Sequence, residues 1–275
     1  MNRTTGEPIV KKLFLSLFLV MVFITTSHAE ILVFVHGYDS NANTWRNKGI
    51  FSFLQSQGWQ DAGNLISHPN GIFYQQPGEL KPYRMVTVDL PSNAPAPVQA
   101  VLLAAYVETL RKQDPQQLFT LIGHSVGGVV SRYALVRYPE LPVKRLITIA
   151  SPHFGTGMAE VAEMAAKSPA GIIAPILGAD IINHSEILLD QLQREEPGSF
   201  LFWLNRQKHP EINYFSIIRS HGSLFNKDYY VPSYSQDLRY IPGIHLAHSF
   251  PSKGKHELHY HDAFLIARLV NRPVK

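Results

Sequence analysis

Four short segments of the chain are almost continuously apolar and rich in β-branched residues: 31–35, 85–88, 118–122 and 146–149. Strands that are buried on both faces lack the alternation of apolar and polar positions typical of half-exposed strands. The pattern therefore predicts parallel strands that are covered by helices on both sides. Residues 212–218 have the same character and predict a further strand.

Segments with helical spacing separate these strands. Residues 98–112 and 126–138 repeat apolar positions every three or four residues, and both end at or near a proline. Residues 262–271 predict a closing helix. Strand–helix–strand alternation implies right-handed crossovers. We therefore expect an α/β protein with a doubly wound, mostly parallel sheet.

Residues 157–210 do not follow this alternation of strands and helices. Apolar helical stretches alternate there with glycines and prolines. We interpret the segment as a helical cap inserted between two core strands, and an elaborated crossover is the alternative.

The amino terminus has the pattern of a secretory signal. Lys11 and Lys12 precede an apolar stretch, 13–24, with one polar residue, Ser16, and this stretch is followed by the small-x-small sequence 27–29. A membrane span needs about 20 apolar residues, so this shorter stretch favours a signal peptide, with an uncleaved anchor as the alternative. We therefore predict a signal peptide at 1–29, a mature domain at 30–275, and a secreted or periplasmic location.

Composition narrows the function classes. The 275 residues are 45% hydrophobic and 17% charged, enough for a sizeable core. Residues 1–29 hold three basic side chains and one acidic, a net of +2, which leaves +2 of the total +4 for the rest. No basic stripe with interleaved aromatics is present, so nucleic-acid binding is not expected. The chain has no cysteine, which excludes disulfides, a lipid-attachment thiol and a cysteine nucleophile.

The pentapeptide 123–127, Gly-His-Ser-Val-Gly, lies between a predicted strand and a predicted helix. A G-x-S-x-G sequence in that context is typical of a nucleophile elbow, in which the serine sits on a strained turn at the carboxyl end of a strand. Ser125 is therefore the candidate nucleophile.

A serine nucleophile needs a base, and the base needs an orienting acid. On a fold with this elbow, the acid follows the nucleophile in the chain and the histidine comes last. Asp228 follows the strand predicted at 212–218 after a loop of suitable length. Asp237 is its competitor, and Asp190 would fall within the cap.

Three histidines precede the last predicted helix: His256, His259 and His261. Asp262 is a suitable N-cap for that helix. A catalytic histidine needs loop residues between itself and the helix, so His256 fits best, His259 is second, and His261 is too close. Clustered imidazoles also suit zinc, but their mixed spacing matches no compact site. We expect neither a metal ion nor a cofactor.

An oxyanion hole requires two backbone N–H donors. The residue after the nucleophile, Val126, supplies one. The loop after the first strand supplies the other, which we assign to Tyr38, since Gly37 before it allows a close backbone approach to substrate.

The chain resembles the lipases and esterases of the α/β-hydrolase superfamily. The resemblance extends from about residue 31 to the carboxyl terminus, and its motifs lie at 32–38, 123–133, 151–156, 197–205 and 228–232. It implies the α/β-hydrolase fold and a Ser125–His256–Asp228 triad.

The function that follows is hydrolysis of carboxylic esters, including lipid-like acyl esters, through an acyl-enzyme. Acyl transfer and thioester hydrolysis use the same machinery, and a non-catalytic binding protein on this fold is a further alternative. The expected partners are an ester or lipid substrate and, at an interface, lipid aggregates. The sequence leaves the oligomeric state open.

Overall fold

A computed structural model describes residues 30–166, 180–219 and 228–271. The predicted signal peptide, 1–29, lies outside the described residues, as do residues 167–179 of the predicted cap. The described chain begins directly with a buried strand, in which Glu30 is only 5% exposed.

One sheet of eight strands organises the molecule: β1 (Glu30–Val35), β2 (Gln60–His68), β3 (Gly71–Gln75), β4 (Tyr83–Val88), β5 (Leu118–His124), β6 (Val143–Ile149), β7 (Asn213–Arg219) and β8 (Ala247–Ser252). Their spatial order is β3-β2-β4-β1-β5-β6-β7-β8. Every neighbouring pair is parallel except β2 and β3, which form an antiparallel hairpin at one edge. This confirms the predicted fold class.

Helices cover both faces of the sheet. The described residues form α1 (Thr44–Asn47), α2 (Ile50–Ser56), α3 (Ala96–Gln113), α4 (Val126–Arg137), α5 (Met158–Ala166), α6 (Asp180–Gln191), α7 (Phe200–Asn205) and α8 (Asp262–Val270). Successive side chains of a strand point to opposite faces. Accordingly, Val33 packs in a core with α3 and α4, whereas Phe34 packs in a second core with α2 and α8.

Three strands were not predicted from the apolar pattern. These are the hairpin β2–β3 and the edge strand β8, all of which mix polar with apolar positions. The predicted helices agree with α3, α4 and α8 to within two residues at each end. One detail was wrong: Asp262 is the first residue of α8, and His261 is its N-cap.

The described parts of residues 157–210 are α5, α6 and α7, which lie in the connection between β6 and β7. Leu188 and Leu192 of this segment are buried in the same core as α3, and the Gln191 side chain accepts a hydrogen bond from Ala96 N. Its function as a cap stays a prediction. Across the described ranges, every helix is too short or too polar to cross a membrane.

Candidate active site

Ser125 occupies a sharp turn between β5 and α4. Its φ of 52° and ψ of −125° are unfavourable for a residue with a side chain, and Ser125 N anchors the turn by donating to Ile149 O at 2.8 Å. A Cβ on Gly127 would lie 2.4 Å from His36 O, and one on Gly123 would lie 2.5 Å from Gly128 N. The turn therefore needs glycine at both positions, as the elbow interpretation expects.

The structure brings Ser125, His256 and Asp228 together. His256 Nε2 lies 2.8 Å from Ser125 Oγ, and His256 Nδ1 lies 2.9 Å from Asp228 Oδ2. An ionised carboxylate only accepts hydrogen bonds, so Nδ1 carries the proton and Nε2 is free to accept from the serine hydroxyl. All three residues are at least nine-tenths buried, which limits competition from water.

The Asp228 carboxylate is held by four hydrogen bonds. Oδ1 accepts from Tyr230 N at 2.9 Å and from Val231 N at 3.0 Å. Oδ2 accepts from Gln236 Nε2 at 3.1 Å as well as from His256. Donors on both oxygens fix the orientation of the carboxylate. The acid is therefore fixed in place before a substrate arrives.

A cavity of about 210 Å³ opens beside Ser125. Its walls come from the loop after β1, including Tyr38 and Ser40, from Thr44 at the start of α1, and from the loop that carries His256, including Leu258. Val126 is the first residue of α4, so its N–H has no acceptor within the helix. Tyr38 N makes no backbone hydrogen bond to any described residue. Tyr38 lines the same cavity as Ser125, and the assignment of both N–H groups as oxyanion donors stays a prediction.

His124 is a buried neighbour of the base. Its Nε2 lies 2.9 Å from His256 O, and since a carbonyl only accepts, Nε2 carries the proton. Burial, and then the charge on His256, lower the pKa of His124 to about 3. His124 is therefore a neutral donor to the backbone of the base rather than a base itself.

The other candidate acids and bases are not hydrogen-bonded to Ser125. Asp237 is paired with Arg239 and Ser249, and Asp190 is exposed on α6, where it accepts from Gln193. The His259 ring lies against Gly254, and His261 caps α8. Of the acids and bases considered from sequence, the structure brings only Asp228 and His256 within hydrogen-bond distance of each other, and His256 also within hydrogen-bond distance of Ser125.

Two residues of this network were missed from sequence. Gln236 links the acid to β7, because its Oε1 accepts from Arg219 N at 2.8 Å while its Nε2 donates to Asp228. Arg219 is fully buried at the end of β7. Its signal in the sequence is an arginine that directly follows the apolar run 212–218.

Within the described ranges, no group of three or more histidine or acidic side chains is arranged to hold a metal ion. The expectation that the protein needs no metal and no cofactor stays a prediction.

The chain belongs to the α/β-hydrolase fold family, whose model matches residues 30–199. Its fold is similar to that of the mature lipase BlEst2 from Bacillus licheniformis, with a TM-score of 0.60 and 18% identity over 89% of this chain and 92% of that one. It is also similar to the product of the gene lin2722 from Listeria innocua, with a TM-score of 0.55 and 15% identity over 80% and 83% of the two chains. At such identities the likeness concerns the fold.

Proposed function

We propose that this protein hydrolyses carboxylic esters through a covalent acyl-enzyme on Ser125. The observation that carries the proposal is the pair of hydrogen bonds that join Ser125 Oγ, His256 and Asp228, at 2.8 and 2.9 Å. The strained elbow that presents the serine and the family to which the chain belongs support it.

In the proposed reaction, Ser125 Oγ attacks the ester carbonyl carbon while His256 Nε2 takes the hydroxyl proton. The tetrahedral intermediate collapses, His256 returns the proton to the leaving alcohol, and the acyl group stays on Ser125. A water molecule then attacks the acyl-enzyme by the same steps, with His256 again as the base. Asp228 holds the imidazole in the required tautomer and stabilises its charged form.

The intermediate carries a negative charge on the former carbonyl oxygen. We assign its stabilisation to the N–H groups of Tyr38 and Val126. Fixed donors in a site that excludes water stabilise such a charge by several kcal/mol, and losing one typically costs about 10²–10³ in kcat.

For the substrate, we propose lipid-like acyl esters, with contact to lipid aggregates at an interface. The cavity of about 210 Å³ beside Ser125 is smaller than the roughly 300–1,000 Å³ of pockets that enclose a whole ligand. It accommodates one part of an ester, and the apolar side chains of residues 157–210 are the proposed surface for the acyl chain. We also propose that the protein is exported, because residues 1–29 have the sequence pattern of a signal peptide.

The test compares wild type with Ser125→Ala on p-nitrophenyl esters of increasing acyl length, together with labelling by a fluorophosphonate. Loss of the nucleophile generally costs on the order of 10⁴-fold or more, and labelling disappears with it. Each buried CH₂ contributes about 0.8 kcal/mol, so we expect kcat/KM to rise tenfold or more from acetyl to medium-chain esters.

Mutant activity within tenfold of wild type would contradict the mechanism. Preference for acetyl esters would contradict only the lipid-like substrate and indicate a short-chain esterase. Product analysis with competing alcohols, and a parallel thioester assay, separate hydrolysis from acyl transfer and thioesterase activity. A purified, folded protein that neither labels nor turns over would indicate a non-catalytic binding protein.

A further inference from the structure

Three consecutive backbone carbonyls around the proposed base accept hydrogen bonds from buried side chains. Arg219 Nε donates to Lys255 O at 3.0 Å, His124 Nε2 donates to His256 O at 2.9 Å, and Arg219 Nη2 donates to Glu257 O at 3.0 Å. Loop carbonyls usually face water, so side-chain donors at three successive positions fix this backbone unusually well.

We propose that Arg219, held by Asp262, is a positioning residue that sets His256 against Ser125. This inference rests on the proposed function, since it assigns a role to residues behind the same triad. Neither Arg219 nor Asp262 lines the cavity beside Ser125, so both act through the loop that carries His256.

Every donor of the Arg219 guanidinium is used. A guanidinium has five N–H groups in a fixed plane. Besides the two carbonyls, Nη1 donates to Ser252 Oγ at 2.8 Å and to Asp262 Oδ1 at 2.6 Å, and Nη2 donates to Asp262 Oδ2 at 2.7 Å. The side chains of Arg219 and Asp262 are both 0% exposed, so the pair is an internal ion pair with no competing water.

Asp262, the partner of Arg219, also holds the carboxyl end of the loop that carries His256. As the first residue of α8, it accepts from His259 N at 2.8 Å through Oδ2. Hydrogen bonds thereby hold the segment 255–259 at Lys255, Glu257 and His259, on both sides of His256. Fixing the chain on both sides restricts where the imidazole can lie.

Asp228, the proposed acid, is connected to Arg219 through Gln236. Arg219 N donates to Gln236 Oε1 at 2.8 Å, and Gln236 Nε2 donates to Asp228 Oδ2 at 3.1 Å. Ser233 Oγ donates to Arg219 O at 2.9 Å. Arg219 thus lies between the loop of the acid and the loop of the base, and its displacement would misalign both relative to Ser125.

The test is Arg219→Lys, which keeps the charge but offers only three donors from a single point. A displacement of about 1 Å in a catalytic group can cost about 10²-fold, so we expect kcat to fall 10- to 100-fold while KM stays within threefold. Asp262→Asn, which leaves the guanidinium without its counter-ion, should act in the same direction.

The matched control is Arg145→Lys. Arg145 is also buried, at 1% exposure, and forms an ion pair with Glu30 at 3.0 Å, but at the amino ends of the strands. Rates are expressed per active site, counted by the endpoint of fluorophosphonate labelling, so partial unfolding does not lower them. We expect Arg145→Lys to lower the melting temperature and leave kcat within threefold.

The proposal is overturned if Arg219→Lys and Arg145→Lys have equal kcat per active site, or if KM rises while kcat is unchanged. It is also overturned if neither Arg219→Lys nor Asp262→Asn folds while Arg145→Lys does, since the role is then structural. Failure of the proposed function gives different results, namely that Ser125→Ala keeps its activity or that the folded wild type neither labels nor turns over.

Discussion

The two ends of the central strands both carry buried polar networks, but the networks differ in geometry. At the amino ends, Glu30 accepts from Thr120 Oγ1 at 2.6 Å and from Arg145 Nη1 at 3.0 Å, and pairs with Lys144 at 2.9 Å. Thr120 lies within β5, Lys144 and Arg145 lie within β6, and β1 begins at Glu30. The pairing of β5 with β6 shifts register at Lys144. This network joins three parallel strands.

At the carboxyl ends, two residues beside the network have a positive φ. Ser125 and Ala150, which follow β5 and β6, both have a φ of 52°. Residues held in such conformations cost of order 1–3 kcal/mol each and persist where the surroundings over-determine them. Here the network ends at a serine hydroxyl that faces a cavity. Similar polar chemistry therefore joins strands at one end of the sheet and positions the proposed nucleophile at the other.

The comparison is tested most strongly by His256→Ala. Removal of a general base is worth about 10²–10⁴ in rate, so we expect at least a hundredfold loss of kcat/KM on a p-nitrophenyl ester. His261→Ala is the matched control, because it removes a nearby imidazole outside the network and should change activity little. If His259→Ala is instead the inactive variant, the base has been assigned three residues too early.

Glu30→Gln probes the opposite end of the sheet. Removing one partner of a buried ion pair leaves an uncompensated charge and typically costs about 3–5 kcal/mol. We expect the free energy of unfolding, from urea denaturation, to fall by about 3 kcal/mol. The value of kcat/KM for the folded protein should stay within threefold. A large loss of activity in folded Glu30→Gln would mean that the two ends are not separable.

The sequence was most informative where local rules determine the structure. The strands that flank the elbow are buried on both faces, so their apolar runs are continuous and were predicted correctly. The pentapeptide 123–127 has few alternatives, because backbone atoms lie too close to Gly123 and Gly127 for a side chain. The order of acid and base along the chain limited the remaining candidates to a few residues, of which Asp228 and His256 meet Ser125 in space.

The elements that were missed lie at the edges of the sheet. Strand β8 contains Pro251 and pairs only with β7, and the hairpin β2–β3 has one exposed face at the other edge, so neither has a continuous apolar run. The dipeptide Asn70-Gly71, at the turn where β3 begins, is a hairpin signal that could have revealed them. Arg219 could not be assigned from sequence, since its five acceptors come from separate points of the segment 252–262.

The smallest expected effect concerns pH and a histidine near the amino end of β7. His209 precedes β7 on the amino side, and burial, followed by the charge of Arg132, lowers its pKa from 6.5 to about 4. The unfolded chain therefore binds a proton at this residue before the folded protein does. Stability from neutral His209 is present above pH 6.5 and is lost as the pH falls from there towards about 4.

His209→Asn removes this titration and keeps a donor for Gln207 O, which lies 2.9 Å from His209 Nδ1. One such group changes stability by up to about 1.4 kcal/mol per pH unit, so between pH 6.5 and 5 the variant should lose stability less steeply than wild type, by roughly that slope. Urea denaturation at pH 7, 6 and 5 measures the difference. His124, at the carboxyl end, also stays neutral because its pKa is about 3, so a residual slope of the same sign should remain. Parallel curves for the variant and wild type would mean that His209 is not held neutral by burial.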